Sequence, residues 1–269
     1  MHLIESRNLP RHVGIIMDGN GRWAEMRGQP REAGHKEGSA AVRRVVRVAR
    51  RLGIDALTLY AFSEQNWGRP PGEVDALMGL LHEYLVSERD EILENGIRLV
   101  AIGDITRLPE LVRDVLDPLR SASERNGRMT LALALSYGGR EEIATAARDL
   151  ARDAASGKLD PEAIDVGALA ARLPSLSAGD PDLIIRTGGE QRLSNFLLFG
   201  AAYAELSFTD RLWPDFTEDD LFAAIASYQR RERRFGNVGK APPLLGPDAP
   251  SPEIVTSQPG VTRESTARA

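Results

Sequence analysis

The chain of 269 residues contains no cysteine. That excludes a disulfide framework, a thiolate zinc site and a cysteine nucleophile, and it suits a cytosolic setting. Charge of one sign is also missing: 34 Lys and Arg stand against 39 Asp and Glu, a formal net charge of −5. So slight an acidic balance argues against a general nucleic-acid binder, although a local basic pocket is still possible. No run reaches the ~18 uninterrupted apolar residues of a spanning helix. The first residues lack the basic, apolar and small-residue zones of a signal peptide. Neither a Gly-Lys-Ser/Thr phosphate loop nor the triple-glycine dinucleotide fingerprint occurs. Contact with a membrane, if any, would be peripheral.

Hydrophobic residues at 42% and charged residues at 27% are ordinary for a globular protein with a substantial core. Short, continuous apolar runs at 12–17, 56–62, 97–102, 129–135 and 183–185 read as buried strands, with a sixth candidate at 205–209. Helical periodicity fills 39–52, 74–93, 141–156 and 220–231. Val42, Val45, Val46, Ala49 and Leu52 share a stripe, and Gly53 supplies a stop. Thr217 with Asp220 suggests a helix cap. Strands alternating with helices predict an α/β domain, a parallel sheet covered on both faces. The Pro-, Ser- and Thr-rich segment 237–269 reads as a disordered tail behind a domain spanning 1–236.

Ligands of such sheets sit at the carboxyl ends of the strands, so the polar residues after each strand are the candidates. After the first run come Asp18, Gly19, Asn20, Gly21, Arg22 and Trp23. The glycines allow close approach of backbone to an anion. A carboxylate beside them reads either as a helix cap or as a ligand of Mg²⁺ on a diphosphate. Arg31, His35 and Lys36 follow, each read as a surface charge or as a phosphate partner. The second run ends in a polar loop with Ser63, Asn66, Trp67 and Arg69. An exposed Trp67 would have a reason to be there if it covered a ligand. The fifth runs into Arg186, Arg192 and Ser194 around a Gly pair, a second anion site, and Glu205 offers another carboxylate. Two anion sites imply two phosphorylated substrates and hence a transferase. The basic run 230–234 reads as a solvated helix end.

Taken together, His-Val-Gly-Ile-Ile-Met-Asp-Gly-Asn-Gly-Arg-Trp-Ala at 12–24, Arg31 through His35, Ala-Phe-Ser with Asn-Trp-Gly-Arg-Pro within 61–70, Tyr-Gly-Gly-Arg at 137–140, Arg-Thr-Gly-Gly-Glu-Gln-Arg-Leu-Ser-Asn-Phe at 186–196 and Trp-Pro-Asp-Phe at 213–216 resemble the cis-prenyltransferase family. The nearest likeness is to its bacterial undecaprenyl-diphosphate-forming members. The likeness covers roughly residues 10–236 in order.

The resemblance implies a single domain with a central parallel six-stranded sheet flanked by helices, a homodimer, and Mg²⁺-dependent condensation of isopentenyl diphosphate with an allylic diphosphate, farnesyl diphosphate foremost. Asp18 and Asn66 would be catalytic, with Asp18 and Glu205 at the metal. Gly19, Asn20, Gly21, Arg22, Trp23, Arg31, His35, Ser63, Trp67 and Arg69 would bind substrate, most around the allylic diphosphate. Arg186, Arg192 and Ser194 would hold isopentenyl diphosphate. The helix at 74–93 and the residues around Leu131 to Leu135 would wall the hydrocarbon tunnel, and small Ala61 leans towards a long product.

This chain departs from the pattern where Gln65 follows Glu64, where Gln191 stands at a position that is His in some members, and where the segment before Tyr137 lacks asparagine. The competing readings are a shorter-chain synthase, a trans-prenyltransferase, whose Asp-Asp-x-x-Asp pairs are missing, and a non-catalytic partner subunit, in which Asp18 and its neighbours would be lost.

Overall fold

A computed structural model describes residues 4–231. The tail expected at 237–269, the domain end at 236 and the basic residues 232–234 lie outside the described residues. Six parallel strands form one sheet: β1 (His12–Ile16), β2 (Ala56–Ser63), β3 (Ile97–Ile102), β4 (Met129–Tyr137), β5 (Leu183–Arg186) and β6 (Glu205–Phe208). Their order is β3-β4-β2-β1-β5-β6. The chain therefore builds outward from β1 on one side and later returns to its other side. The carboxyl ends of β1 and β5 meet where that order reverses, the place where open α/β sheets take ligands. β1 and β5 are buried throughout, as a parallel interior requires.

The register of β2 against β4 slips between Tyr60 and Phe62. Such a bulge bends the strand and re-aims the residue in it, here Ala61. The helices are α1 (Asn20–Glu25), α2 (Arg31–Leu52), α3 (Pro71–Ser87), α4 (Arg89–Glu94), α5 (Glu110–Ser123), α6 (Gly139–Ala155), α7 (Val166–Ala170) and α8 (Glu218–Gln229). Thr217 caps α8 in a reciprocal box with Asp220.

The helix expected at 39–52 begins eight residues earlier, so Arg31, His35 and Lys36 ride on α2. Gly53, at φ +81°, closes it by returning its N–H to Ala49 and Arg50. The long helix expected at 74–93 is two, broken at Glu88. The Glu88 carboxylate accepts from Arg43 Nε at 2.5 Å, and the break swings α4 beneath β3. The arginines left off the apolar stripe of α2 are fasteners: Arg47 forks onto Glu91, Arg51 pairs with Glu218, and Arg44 donates to the Pro214 and Phe216 carbonyls.

Candidate active site

The strand-to-helix turn after β1 places Asp18 at the switch point. Gly19 sits at φ +112°, and a Cβ there would meet Leu212 at 2.8 Å, so glycine is required. The Asp18 carbonyl accepts from Thr187 Oγ1 (2.7 Å) and Trp213 N (3.1 Å), which clamps the turn from both sides. The carboxylate, 31% exposed, takes Arg186 at 2.9 Å and Arg22 at 3.3 Å. Arg22 lies against Gly188, where a Cβ would come within 2.5 Å of its guanidinium.

Arg186 is buried, and its terminal nitrogens are committed. One donates to Asp18, the other to the Arg192 carbonyl (2.6 Å) and Ser194 Oγ (2.7 Å). Arg186 is therefore a strut between Asp18 and the 187–196 loop, and only its Nε is unsatisfied. Ser194 and Asn195 hold left-handed backbone (φ +48° and +66°), a strained arrangement of the kind that clusters at ligand sites. Arg192 is 62% exposed and pairs with Glu190.

A second cationic group forms where α1, α2 and α3 converge. A Cβ on Gly21 would collide with the Arg31 guanidinium at 2.5 Å, and one on Gly34 with the Asn20 carbonyl at 1.9 Å. Gly34 thus lets α1 and α2 approach backbone to backbone, and Gly21 lets the Arg31 side chain lie on α1. Arg69 donates to Glu73 at 2.7 Å, Arg31 lies 3.7 Å from the same carboxylate, and His35 Nε2 lies 4.0 Å from it. Burial, helped by Arg69 and Arg31 and opposed by Glu73, lowers the His35 pKa to about 4, so the imidazole is neutral at pH 7. His35 Nε2 and Asn20 Oδ1 are both buried without a hydrogen-bond partner. Buried polar atoms of this kind are rare unless a ligand completes them.

Beside these groups opens an apolar cavity of about 110 Å³. Asn20, His35 and Trp213 stand in its wall with Val42, Ala61 and Leu133, and α3 contributes Leu77, Leu80, Leu81 and Tyr84. The tunnel wall expected from 74–93 and around Leu133 thus faces one space, with the bulge residue Ala61 in it.

Other expected residues lie elsewhere. Glu205 opens β6 opposite Leu183, level with Val13 at the amino end of the sheet, and pairs with Arg231. Three residues of strand, at ~3.3 Å each, separate that level from Ile16, so within one chain Glu205 and Asp18 do not share an ion. Trp67 does not cover the cavity. Its ring packs on Phe62 and under Arg107, and its N–H goes to Ser136 Oγ. Trp23 donates to Asp215 and lies beneath Arg27. Asn66 Oδ1 accepts from the Ser63 N–H (2.9 Å), so the two fix the shape of their loop.

Among the described residues no three His, Asp or Glu side chains gather as a metal cage. That fits Mg²⁺, which takes one or two carboxylates and completes its shell with phosphate oxygens and water. Asp18, the carboxylate expected at the metal, is 31% exposed and paired with Arg22 and Arg186. Glu73 escaped the sequence reading, and Trp213, quoted there within the 213–216 motif, was given no place in the site. The i, i+4 spacing of Arg69 and Glu73 could have flagged the first; only the return of the chain after β6 reveals the second.

Fold and site define a parallel α/β protein that presents guanidinium groups clustered about the Asp18 and Glu73 carboxylates beside an apolar cavity. Comparison with known proteins makes the class specific. Residues 16–236 match the prenyltransferase family model described as "Putative undecaprenyl diphosphate synthase". The chain is 49% identical over 232 residues to an isoprenyl transferase of Chlorobaculum tepidum, covering 86% of this chain and 88% of that one. It is 48% identical over 236 residues to the ditrans,polycis-undecaprenyl-diphosphate synthase ((2E,6E)-farnesyl-diphosphate specific) of Xanthomonas axonopodis, covering 88% and 92%. The crystal structure of lavandulyl diphosphate synthase from Lavandula x intermedia, in complex with dimethylallyl diphosphate, superposes with a TM-score of 0.83 at 40% identity. That match covers 86% of this chain and all of that one. The chain belongs to the cis-prenyltransferase family and is a prenyltransferase.

Proposed function

We propose that this prenyltransferase condenses isopentenyl diphosphate with an allylic diphosphate, farnesyl diphosphate as primer, in Z geometry and with Mg²⁺, to give long-chain polyprenyl diphosphate. Undecaprenyl diphosphate, a precursor of the cell-wall lipid carrier, is the expected product. One observation carries the reading: a cavity lined by leucines opens where Asn20 and His35 have unsatisfied atoms, beside the Asp18–Arg22–Arg186 cluster. A hydrocarbon chain with a charged head requires that pairing of surfaces. The synthase from Xanthomonas, specific for farnesyl diphosphate by name, supports the choice of primer.

In this reading the allylic C–O bond breaks, its electron pair leaving with diphosphate. The π electrons of isopentenyl diphosphate form the new C–C bond, and a proton is lost to restore the double bond. Arg22, Arg31 and Arg69 stabilise charge growing on the leaving group, the principal need of an ionising ester. Asn20 and the loop held by Ser63 and Asn66 orient the second substrate. Arg186 aims the Asp18 carboxylate and positions Arg192 and Ser194 for the isopentenyl diphosphate. Mg²⁺ on Asp18 would supply a further positive charge to diphosphate oxygens.

The protein is proposed to act as a homodimer in the cytoplasm, passing its apolar product to a membrane it meets from the side. No helix among the described residues is long and apolar enough to cross one. Purified protein given labelled isopentenyl diphosphate, farnesyl diphosphate and Mg²⁺ should form a longer lipid unaided, its length read by chromatography. Folded protein that stays silent in that assay would leave the partner-subunit reading in its place.

A further inference from the structure

Among the described residues, the Glu73 carboxylate is where Arg69, Arg31 and the neutral His35 of the α1–α2–α3 corner converge. Arg69 bonds it at 2.7 Å, Arg31 and His35 stand 3.7 and 4.0 Å away, and its side chain is only 14% exposed. Two of the groups it engages, Arg31 and Arg69, are those that the proposed function assigns to the leaving diphosphate. We propose that Glu73 is a placeholder anion which sets the selectivity of this subsite for diphosphate over singly phosphorylated ligands. The proposal rests on that assignment of Arg31 and Arg69.

The physical argument concerns competition for donors. The Arg31 guanidinium is confined, because it lies over Gly21 at a distance that admits no Cβ and pairs on its far side with Glu25. Arg69 is tied to Glu73 one helical turn away. A ligand entering the corner must therefore share these guanidinium groups with Glu73 or displace it. It must also accept the repulsion of a carboxylate only a few ångströms away, at low local dielectric. A monophosphate brings about two charges and one set of oxygens, too little to compensate. A diphosphate brings more charge and can span both guanidinium groups bidentately. Glu73 repels either anion, and only one that engages both guanidinium groups gains enough to displace it.

The test is a calorimetric titration of the full-length protein with inorganic phosphate and inorganic pyrophosphate. Wild type should bind pyrophosphate far better than phosphate. In Glu73→Gln, a near-isosteric change, phosphate affinity should rise at least tenfold and the pyrophosphate-to-phosphate ratio should shrink. Glu73→Asp, which retains the charge, should keep wild-type selectivity. The gain in Glu73→Gln should vanish in the double variant with Arg31→Ala, which locates it in this corner. Unchanged or weaker phosphate binding by folded Glu73→Gln, or a gain that survives loss of Arg31, would overturn the proposal. The titration needs no turnover, so it is read separately from the labelled-lipid assay of the proposed function.

Discussion

At the amino end of the sheet His12 is buried with both ring nitrogens bonded, to the Gly179 carbonyl at 2.8 Å and Thr58 Oγ1 at 2.7 Å. At the carboxyl end His35 carries a buried Nε2 that bonds nothing. The contrast extends to their neighbours. Asp182 accepts the Arg11 and His12 backbone N–H groups, and Glu205 pairs with Arg231, so these polar groups of the amino end have partners within the protein. At the other end Asn20 Oδ1 and Arg186 Nε join His35 in lacking partners, and strained backbone collects at Ser194 and Asn195. Burial is costly for any polar group without a partner. A chain that satisfies one edge and leaves the other open has used the first for stability and kept the second for a ligand.

The sharpest way to break that contrast is Asp18→Ala. Loss of the carboxylate should lower turnover per folded molecule about a thousandfold, on the scale of removing one preorganised electrostatic group, and should also lower the melting temperature, because it strands the buried Arg186 guanidinium. Incorporation of labelled isopentenyl diphosphate measures it, and near-normal turnover would remove the active-site assignment.

The pH dependence of stability comes next. The folded His35 pKa, near 4, lies below its unfolded value of about 6.5. Between those values the unfolded chain binds a proton that the folded protein refuses. Stability is therefore complete above pH 6.5 and falls as the pH drops towards 4, by roughly 3 kcal/mol from this residue. Urea midpoints followed across that window should flatten in His35→Gln. An unaltered slope would place the titration elsewhere.

His12→Ala should cost about 2 to 3 kcal/mol, because it strands Thr58 and the Gly179 carbonyl in the interior. Its kcat per folded molecule should stay that of wild type; a specific catalytic defect would erase the distinction between the edges. The smallest effect belongs to Arg51→Ala. Its pair with Glu218 is exposed, and such pairs are worth at most about 0.5 kcal/mol, a shift at the limit of a thermal melt.

Much of the architecture is legible before folding, because a parallel interior demands continuous apolar runs and such runs are local in sequence. All six strands lie where those runs do, and the ordered site segments after β1, β2 and β5 arrive at one edge by topology alone. What misled was local plausibility. The apolar periodicity across 74–93 does not register the break at Glu88, which answers to Arg43 on α2. Trp67 is aromatic in a polar loop, yet Ser136 and Phe62 claim it. Glu205 follows a binding segment in sequence but begins its strand, so the parallel sheet puts it at the far end.

The order of apolar runs, the glycines that allow helices to close on backbone, and the identity of the charged groups after each strand are properties of the sequence itself, since each acts through its own residue. Which carboxylate faces which guanidinium is a different kind of fact. Asp18 and Arg186 are 168 positions apart, and Trp213 reaches Asp18 only after the chain has crossed the sheet. Electrostatic pairing depends on distance in space, and nothing short of the packed tertiary structure sets that distance.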